Sequence, residues 1–304
     1  MTHVLVTGAG GFVGRAVVRH LRAIGVDVRA GTRRGGVVLN APGVVLDVTD
    51  RASCDQAMEG MDAVIHCAVG SAAVTVGGTQ TVLAAAGSRR VVHFSSVAVY
   101  GATPGTVTED AALPQNLRGY AAWKQVAEAA CGATVVRLRP SIIYGPGATV
   151  FVDKLLARLR AGCWGQFGAD ADGLCNPVHV DDVARAAGLA LAADVGGQVF
   201  NIDAGTPLTW NAWFARLAAA TDLPAPDHAP GRLRSWSCAA LPAKALARVA
   251  PSLRPALVRA LLAPSGSELT LFRLHATYPA TRARTALEWQ PLVPLDTGIA
   301  GCVA

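Results

Sequence analysis

The chain begins with a short aliphatic run, His3 to Thr7, that passes directly into Gly8-Ala9-Gly10-Gly11-Phe12-Val13-Gly14. Phe12, Val13, Ala16, Val17, Leu21 and Ile24 then recur at helical spacing. A strand, a glycine turn and a helix in that order leave few architectures open, because the helix must cover a sheet that the first strand shares with later ones. Further apolar runs supply those strands: Val26 to Gly31, Val44 to Leu46, Ala63 to His66, Val91 to Ser95 and Thr134 to Leu138. They are apolar throughout rather than at every second residue, and helical stretches at Thr75 to Gly87 and Tyr120 to Ala130 separate them. Such strands belong to a parallel sheet covered on both faces.

The fold class is therefore α/β, a Rossmann-type doubly wound parallel sheet with a smaller, mostly helical C-terminal substrate lobe. Residues 1–150, with roughly 176–204, are assigned to the dinucleotide-binding domain, and residues 151–175 and 205–304 to the lobe. Phe151 to Ala161 reads as a helix, Gly162 to Asp172 as a loop carrying Trp164 and Phe167, Val178 to Ala193 as a helix, and Gln198 to Ile202 as a strand able to return to the sheet. Beyond Pro207, helices are expected at Trp210 to Ala220, at Leu241 to Leu262 with interruptions at Pro251 and Pro255, and at Thr281 to Leu287.

With 304 residues, 52% hydrophobic and 16% charged, the chain can bury a large core and is not disordered. No apolar run reaches the roughly 18 residues of a membrane span, and no basic stretch followed by an apolar segment precedes the first strand, so a cytoplasmic enzyme is expected. Seven scattered cysteines without a C-x-x-C pair indicate neither a zinc site nor a disulfide framework, and no metal is expected. The net charge of +6 is concentrated in the tail, where Arg232 to Arg284 holds nine Lys or Arg and a single acid, Glu268. That excess fits an anionic substrate, an acidic membrane surface or a solvated face. The cations alternate with prolines and aliphatics rather than aromatics, so nucleic acid is not an expected partner.

The glycine turn fails the G-x-G-x-x-G pattern from Gly8, since Val13 occupies the last slot, but fits G-x-x-G-x-x-G through Gly8, Gly11 and Gly14. Glycines there let the backbone approach a pyrophosphate at a helix N-terminus. NAD binders place an acid at the end of the second strand, whereas Ala30-Gly31-Thr32-Arg33-Arg34 carries none. Two guanidiniums in its place suit a 2′-phosphate, so NADP(H) is expected over NAD(H). Asp47, before Val48, either accepts from an adenine amino group or caps the next helix.

Tyr120 and Lys124 are four residues apart on an expected helix and share a face. An adjacent cation favours phenolate and lowers a tyrosine pKa, which makes Tyr120 a candidate general acid or base. Ser96 lies at the end of an apolar strand.

Taken with Asp47-Val48, His66-Cys67-Ala68, the run Phe94 to Gly101, Arg139 to Gly147 and Pro177 to Ala184, these motifs resemble the extended short-chain dehydrogenases/reductases, the NAD-dependent epimerase/dehydratase family. The resemblance spans residues 2 to about 205, and more weakly Thr281 to Pro294. Together with the readings above, it gives an expected cofactor crevice lined by Gly8, Gly11, Phe12, Val13, Gly14, Thr32, Arg33, Arg34, Asp47, Val48, Cys67, Ala68, Tyr120, Lys124, Pro140, Ser141 and Ile142, the last three and the Tyr120–Lys124 pair as the resemblance implies. It also implies Tyr120 as catalytic acid/base, Ser96 on the substrate oxygen, Lys124 on the nicotinamide ribose, and a homodimer. Trp164 is a further candidate for substrate contact. The chain departs from the family at three points: Val97-Ala98 replace the Asp-Glu pair of its dehydratases, Thr75 replaces an asparagine, and His66 to Thr75 is about ten residues short. The expected reaction is net NADP(H)-linked oxidoreduction at a secondary alcohol or ketone. The alternatives are a nucleotide-sugar epimerase with tightly bound NAD and a non-catalytic NADP sensor.

Overall fold

The computed structural model describes residues 2–161, 166, 172–224 and 242–303. Seven strands form one parallel sheet: β1 (His3–Thr7), β2 (Asp27–Thr32), β3 (Gly43–Val45), β4 (Ala63–His66), β5 (Arg90–Phe94), β6 (Val136–Pro140) and β7 (Val199–Ile202), in the spatial order β7-β6-β5-β4-β1-β2-β3. The run expected at Gln198 to Ile202 does return to the sheet, as its edge strand β7 against β6. The direction of travel reverses between β1 and β4, and an α/β sheet presents its ligand crevice at such a reversal.

The strands are apolar at every position because each face is covered. Val4, Val6, Ala63 and Ile65 point to a layer with α1 (Phe12–Ala23) and α6 (Val180–Ala192), while Leu5 and Val64 point to the opposite layer with α2 (Arg51–Met58) and α3 (Gly78–Ala86). Helix α1 buries Ala16, Val17, Val18 and Leu21. Helix α6 answers with Val183, Ala184, Ala186, Ala187 and Ala190; small residues let the two helices approach closely, and a methyl group on Gly188 would stand 2.8 Å from His20 Nε2.

The second core is aromatic. Tyr144, Trp210, Trp213, Phe214 and Phe272 pack with Leu155, Leu156 and Leu159 of α5 (Lys154–Arg160) and with Ile299. Trp210 and Phe272 meet edge to face at 4.6 Å, the geometry that ring quadrupoles favour. Helix α7 (Trp210–Ala219) carries three of these rings. Two helices follow, α8 (residues 242–249) and α9 (Arg254–Leu262). Pro251 does break the run, but Pro255 lies in the first turn of α9, where a missing N–H costs nothing. A capping box at Ser265 and Glu268 starts α10 (Gly266–Phe272).

Residues expected in the lobe re-enter the sheet's core. Ala283 in α11 (Thr281–Ala286), together with Ala280, Leu287 and Trp289, packs on the α1/α6 side. The Trp289 indole N–H donates to the Asp182 carbonyl at 2.9 Å, and the Asp182 carboxylate accepts from Leu292 N and Val293 N. The final helix is α12 (Leu295–Val303).

One buried polar chain ties helix α4 (Gly119–Ala129) to the sheet. Glu128 and Arg139, 5% and 4% exposed, pair bidentately. Ser95 Oγ donates to the same carboxylate, Arg139 Nη1 donates to Tyr100 at 2.8 Å, and Tyr100 donates to Asn201 Oδ1 at 2.7 Å. Removing one partner strands the other's charge in the core, so Glu128→Ala should destabilise the protein by about 3–5 kcal/mol in denaturant unfolding. A loss under about 1 kcal/mol, the value of a surface pair, would show that the pair is not sealed from water.

Candidate active site

Helix α4 opens at Gly119, whose φ of 58° only glycine adopts without strain. Tyr120 follows in the first turn and Lys124 one turn later on the same face. Lys124 is 4% exposed, and its Nζ donates to the Phe94 carbonyl at 2.6 Å while lying 6.0 Å from the Tyr120 ring centroid. Burial pushes the Lys124 pKa down to about 8. Tyr120 is 45% exposed as a residue, yet burial around its hydroxyl raises the phenol above its ordinary value, and the nearby Ser96 hydroxyl offsets part of that rise. The expected lowering of the phenol by the cation is not what this structure holds. The ammonium is engaged at Phe94, and desolvation outweighs it.

The two adjacent serines part company. Ser96, in extended backbone at φ −168°, caps the 3-10 turn Val97–Tyr100 by accepting from Ala98 N at 3.1 Å, and its hydroxyl lies near the Tyr120 phenol. Ser95 points inward to Glu128.

Behind Lys124 stands a pair of histidines that sequence reasoning did not single out. His66 bridges Thr7 Oγ1 at 2.7 Å and Thr79 Oγ1 at 3.0 Å, and its ring stacks on His93 with centroids 5.4 Å apart. Burial, with the Lys124 charge added, pushes His66 down to about 3 and His93 well below its ordinary value. Both rings are thus neutral, and the Lys124 charge near both and the Arg137 charge near His93 help burial to hold them so. Parallel β4 and β5 put His66 beside His93 in register, a pairing invisible in a linear reading.

At the reversal of the sheet, the glycine turn forms a tight cradle. Gly8 sits at φ 64°, and a methyl there would lie 2.8 Å from the Ala68 backbone; a methyl on Gly14 would lie 2.2 Å from the Gly8 carbonyl oxygen. Gly11 N donates to Gly8 O at 2.9 Å, and α1 begins at Phe12 and Val13 with no side-chain cap, so its N-terminal amides can serve an anion. Cys67 N donates to Thr7 O, which holds the end of β4 against the turn. These features fit a dinucleotide pyrophosphate. At the end of β2, Thr32 bonds Gly35 O, and Arg33 and Arg34 are both exposed.

Asp47 accepts from Thr49 N and Thr49 Oγ1 at 2.9 and 2.7 Å, bonds that with the nearby Arg33 hold its carboxyl below the ordinary range. Of its two expected roles, the helix cap belongs instead to Asp50, which accepts from Ala52 N. Val48 is buried against Gly78. Pro140 ends β6, Ser141 N donates to Ile202 O, and Ile142 is buried. Thr75, where the family has asparagine, lies in a π-helical turn Ala73–Gly77, and its hydroxyl bonds Gly70.

Trp164 lies outside the described residues, as do Arg232 and Arg234. Arg282, one of the cations of the basic tail, donates to Asp110 at 2.6 Å. The described cysteines Cys54, Cys67, Cys131, Cys175 and Cys302 are free, and no metal-ligating cluster occurs among the described residues. A cavity of about 530 Å³ is lined by Ala102, Pro104, Leu269, Arg273 and neighbours. Ser96 and Tyr120 are not among its walls, so the side-chain geometry identifies the site better than this cavity does.

Comparison with known proteins places the chain in context. Residues 4–203 match the NAD dependent epimerase/dehydratase family. A 2-alkyl-3-oxoalkanoate reductase of Stenotrophomonas maltophilia is 32% identical over 262 residues, covering 74% of this chain and 78% of the relative. A 4-hydroxy-2-methyl-3-oxo-4-farnesyl-3,4-dihydroquinoline-1-oxide ketoreductase of Stigmatella aurantiaca is 30% identical, covering 70% and 71%. Among solved structures, MoeE5 in complex with UDP-glucose and NAD superposes with a TM-score of 0.73 at 25% identity, over 99% of this chain and 97% of that one.

Two measurements test this geometry. Gly14→Ala should weaken NADPH binding at least about ten-fold in a fluorescence titration, the affinity cost of about 1.4 kcal/mol of cradle distortion; unchanged affinity would mean the turn holds no dinucleotide. Lys124 titrates near 8 when folded against 10.5 ordinarily. Its relative contribution to stability is greatest above pH 10.5 and is lost as pH falls toward 8. Unfolding free energy of the wild type minus that of Lys124→Met should therefore rise by up to about 1.4 kcal/mol per pH unit across that window and stay level below it. A flat difference would mean that the ammonium is not desolvated.

Proposed function

The chain belongs to the NAD-dependent epimerase/dehydratase family, and on that premise we propose that it is an NADP(H)-dependent oxidoreductase interconverting a ketone and a secondary alcohol. The observation that carries the reading is Tyr120 in the first turn of α4, with the Ser96 hydroxyl close enough to influence its phenol and Lys124 one turn behind. Such a pair can hold one substrate oxygen from two sides.

The cradle of Gly8, Gly11 and Gly14, with the first amides of α1, would hold the dinucleotide's pyrophosphate, and Arg33 and Arg34 its 2′-phosphate. When bound, the nicotinamide supplies or accepts a hydride. Tyr120 exchanges a proton with the substrate oxygen through its hydroxyl, and Ser96 donates to that oxygen and orients it. Lys124, fixed by Phe94, keeps a positive charge behind the phenol and favours its anionic form when the proton leaves. Neutral His66 and His93 add no competing charge. Val97 and Ala98 offer no carboxyl to remove water from a substrate, which favours plain redox chemistry over dehydration. The names of the two relatives, both ketone reductases, support the same class of reaction.

A second reading, a nucleotide-sugar epimerase with tightly held NAD, draws support from the likeness to MoeE5, solved with UDP-glucose and NAD. The charge layout weighs against it. A diphosphate needs free cations, but Arg282 is engaged by Asp110, and Lys154 and Arg158 share Glu268 at 2.8 and 2.9 Å.

Mixing the protein with NADPH and a panel of ketones should consume the nicotinamide absorbance, whereas an epimerase leaves it level while converting UDP-glucose. Tyr120→Phe should reduce kcat by about 10²–10⁴-fold, the contribution of a positioned acid/base, with NADPH affinity retained. Turnover that survives this substitution would sink the assignment, and a biological effect without turnover would favour a sensor. Replacing Arg33 and Arg34 with alanine should raise KM for NADPH by about ten-fold or more, the worth of a charge-assisted bond, and leave KM for NADH in place. Equal changes for both cofactors would overturn the NADP(H) preference.

A further inference from the structure

Large aliphatic side chains face solvent in one short part of the lobe: Leu246 at 44%, Val249 at 85%, Leu253 at 42% and Val258 at 39% exposure. On α8 the residues turned inward are Ala243 and Ala247, one helical turn apart. Leu246 and Val249, three residues apart, lie on another face of α8, and Leu253 follows in the short 3-10 turn Pro251–Leu253 that leads into α9. A helix serving only its own core does the reverse, burying the large side chains and exposing the small.

The same helix is cationic. Lys244 and Arg248, four residues apart and exposed, line a cleft of about 300 Å³ with Ala247 and Leu261. Neither enters an ion pair with a described residue. From Arg232 to Arg284 the sequence holds nine cations against one acid, and that acid, Glu268, is occupied by Lys154 and Arg158 of α5. The charge of this region is therefore uncompensated from within. Helices α8 and α9 have eight and nine residues, far short of a span, and among the described residues no helix is long and apolar enough to cross a membrane.

We propose that α8 and α9 are an interfacial anchor that docks the protein on an anionic lipid bilayer. Leu246, Val249, Leu253 and Val258 enter the boundary between headgroups and acyl chains, and Lys244 and Arg248 rest on lipid phosphates. A protein partner is the poorer fit, because protein docking surfaces are depleted in lysine, whereas Lys244 stands here beside the exposed aliphatics. A single-stranded nucleic acid would need aromatics as stacking platforms, and α8 and α9 have none.

The test is co-sedimentation of the full chain with sucrose-loaded vesicles, of phosphatidylcholine alone or mixed with phosphatidylglycerol. The protein should sediment with the mixed vesicles at low salt, remain in solution with the neutral ones, and be released as salt rises. Lys244→Ala with Arg248→Ala should lower the partition coefficient by roughly thirty-fold, from two cations near an anionic surface. Val249→Asp should lower it independently. All three side chains are exposed, so the folded state should persist, checked by circular dichroism. Failure to sediment with anionic vesicles, or equal binding to neutral ones, overturns the anchor. So does full binding by both variants. Lipid-free self-association abolished by Val249→Asp would assign the face to a second copy instead.

Discussion

A buried ammonium is a demanding object, and the hydrogen bond from Lys124 to the Phe94 carbonyl determines how α4 lies on the sheet. Phe94 closes β5, and Ser96 follows two residues later at the start of the 3-10 turn. Anchoring Lys124 to the end of that strand brings the first turn of α4, and with it Tyr120, to Ser96. The Glu128–Arg139 pair fastens the next turn of the helix to β6. Helix α4 is thus held at two depths by polar contacts rather than by apolar packing alone, and satisfied polar contacts fix its position more narrowly than packing does. The silent histidines belong to the same arrangement. Two imidazoles held neutral by burial lie near the Lys124 amine, so they add no charge of their own behind the phenol.

Much of this was legible in the chain. Uninterrupted apolar runs separated by helical periods required a sheet covered on both faces, and β1 and β4 show why: Val4 and Leu5, or Val64 and Ile65, enter opposite layers. Spacing alone put Tyr120 and Lys124 on one face of a helix. What spacing could not supply was partners distant in sequence. The Phe94 carbonyl is 30 residues from Lys124, and a main-chain acceptor leaves no trace in side-chain chemistry. The helix cap passed to Asp50 because Asp47 was taken up by Thr49, a competition between two nearby acids that a pattern does not resolve. Pro255 read as a breaker because position within a helix, not identity, decides whether a missing amide matters.

The cations show the same limit. Counted along the chain, the tail is a block of positive charge; in three dimensions, Arg282 is answered by Asp110, Arg216 is answered by Asp296, and Glu268 reaches back to α5. Arg33 and Arg34 stand exposed at the end of β2 near the glycine turn, and Lys244 and Arg248 stand exposed on α8. The fold thus gives these two pairs of cations different neighbours, glycine and backbone amide for one, exposed aliphatics for the other.

Trp289 gives the topology a mechanical meaning. Because its indole is held by the Asp182 carbonyl and the following segment by the Asp182 carboxylate, the lobe leaves the nucleotide half after β7 and is stitched back into it before α12. A module tied at two separate places has less freedom than one joined by a single linker. Asp182, one side chain and one carbonyl on α6, therefore carries these hydrogen bonds of the second tie by itself.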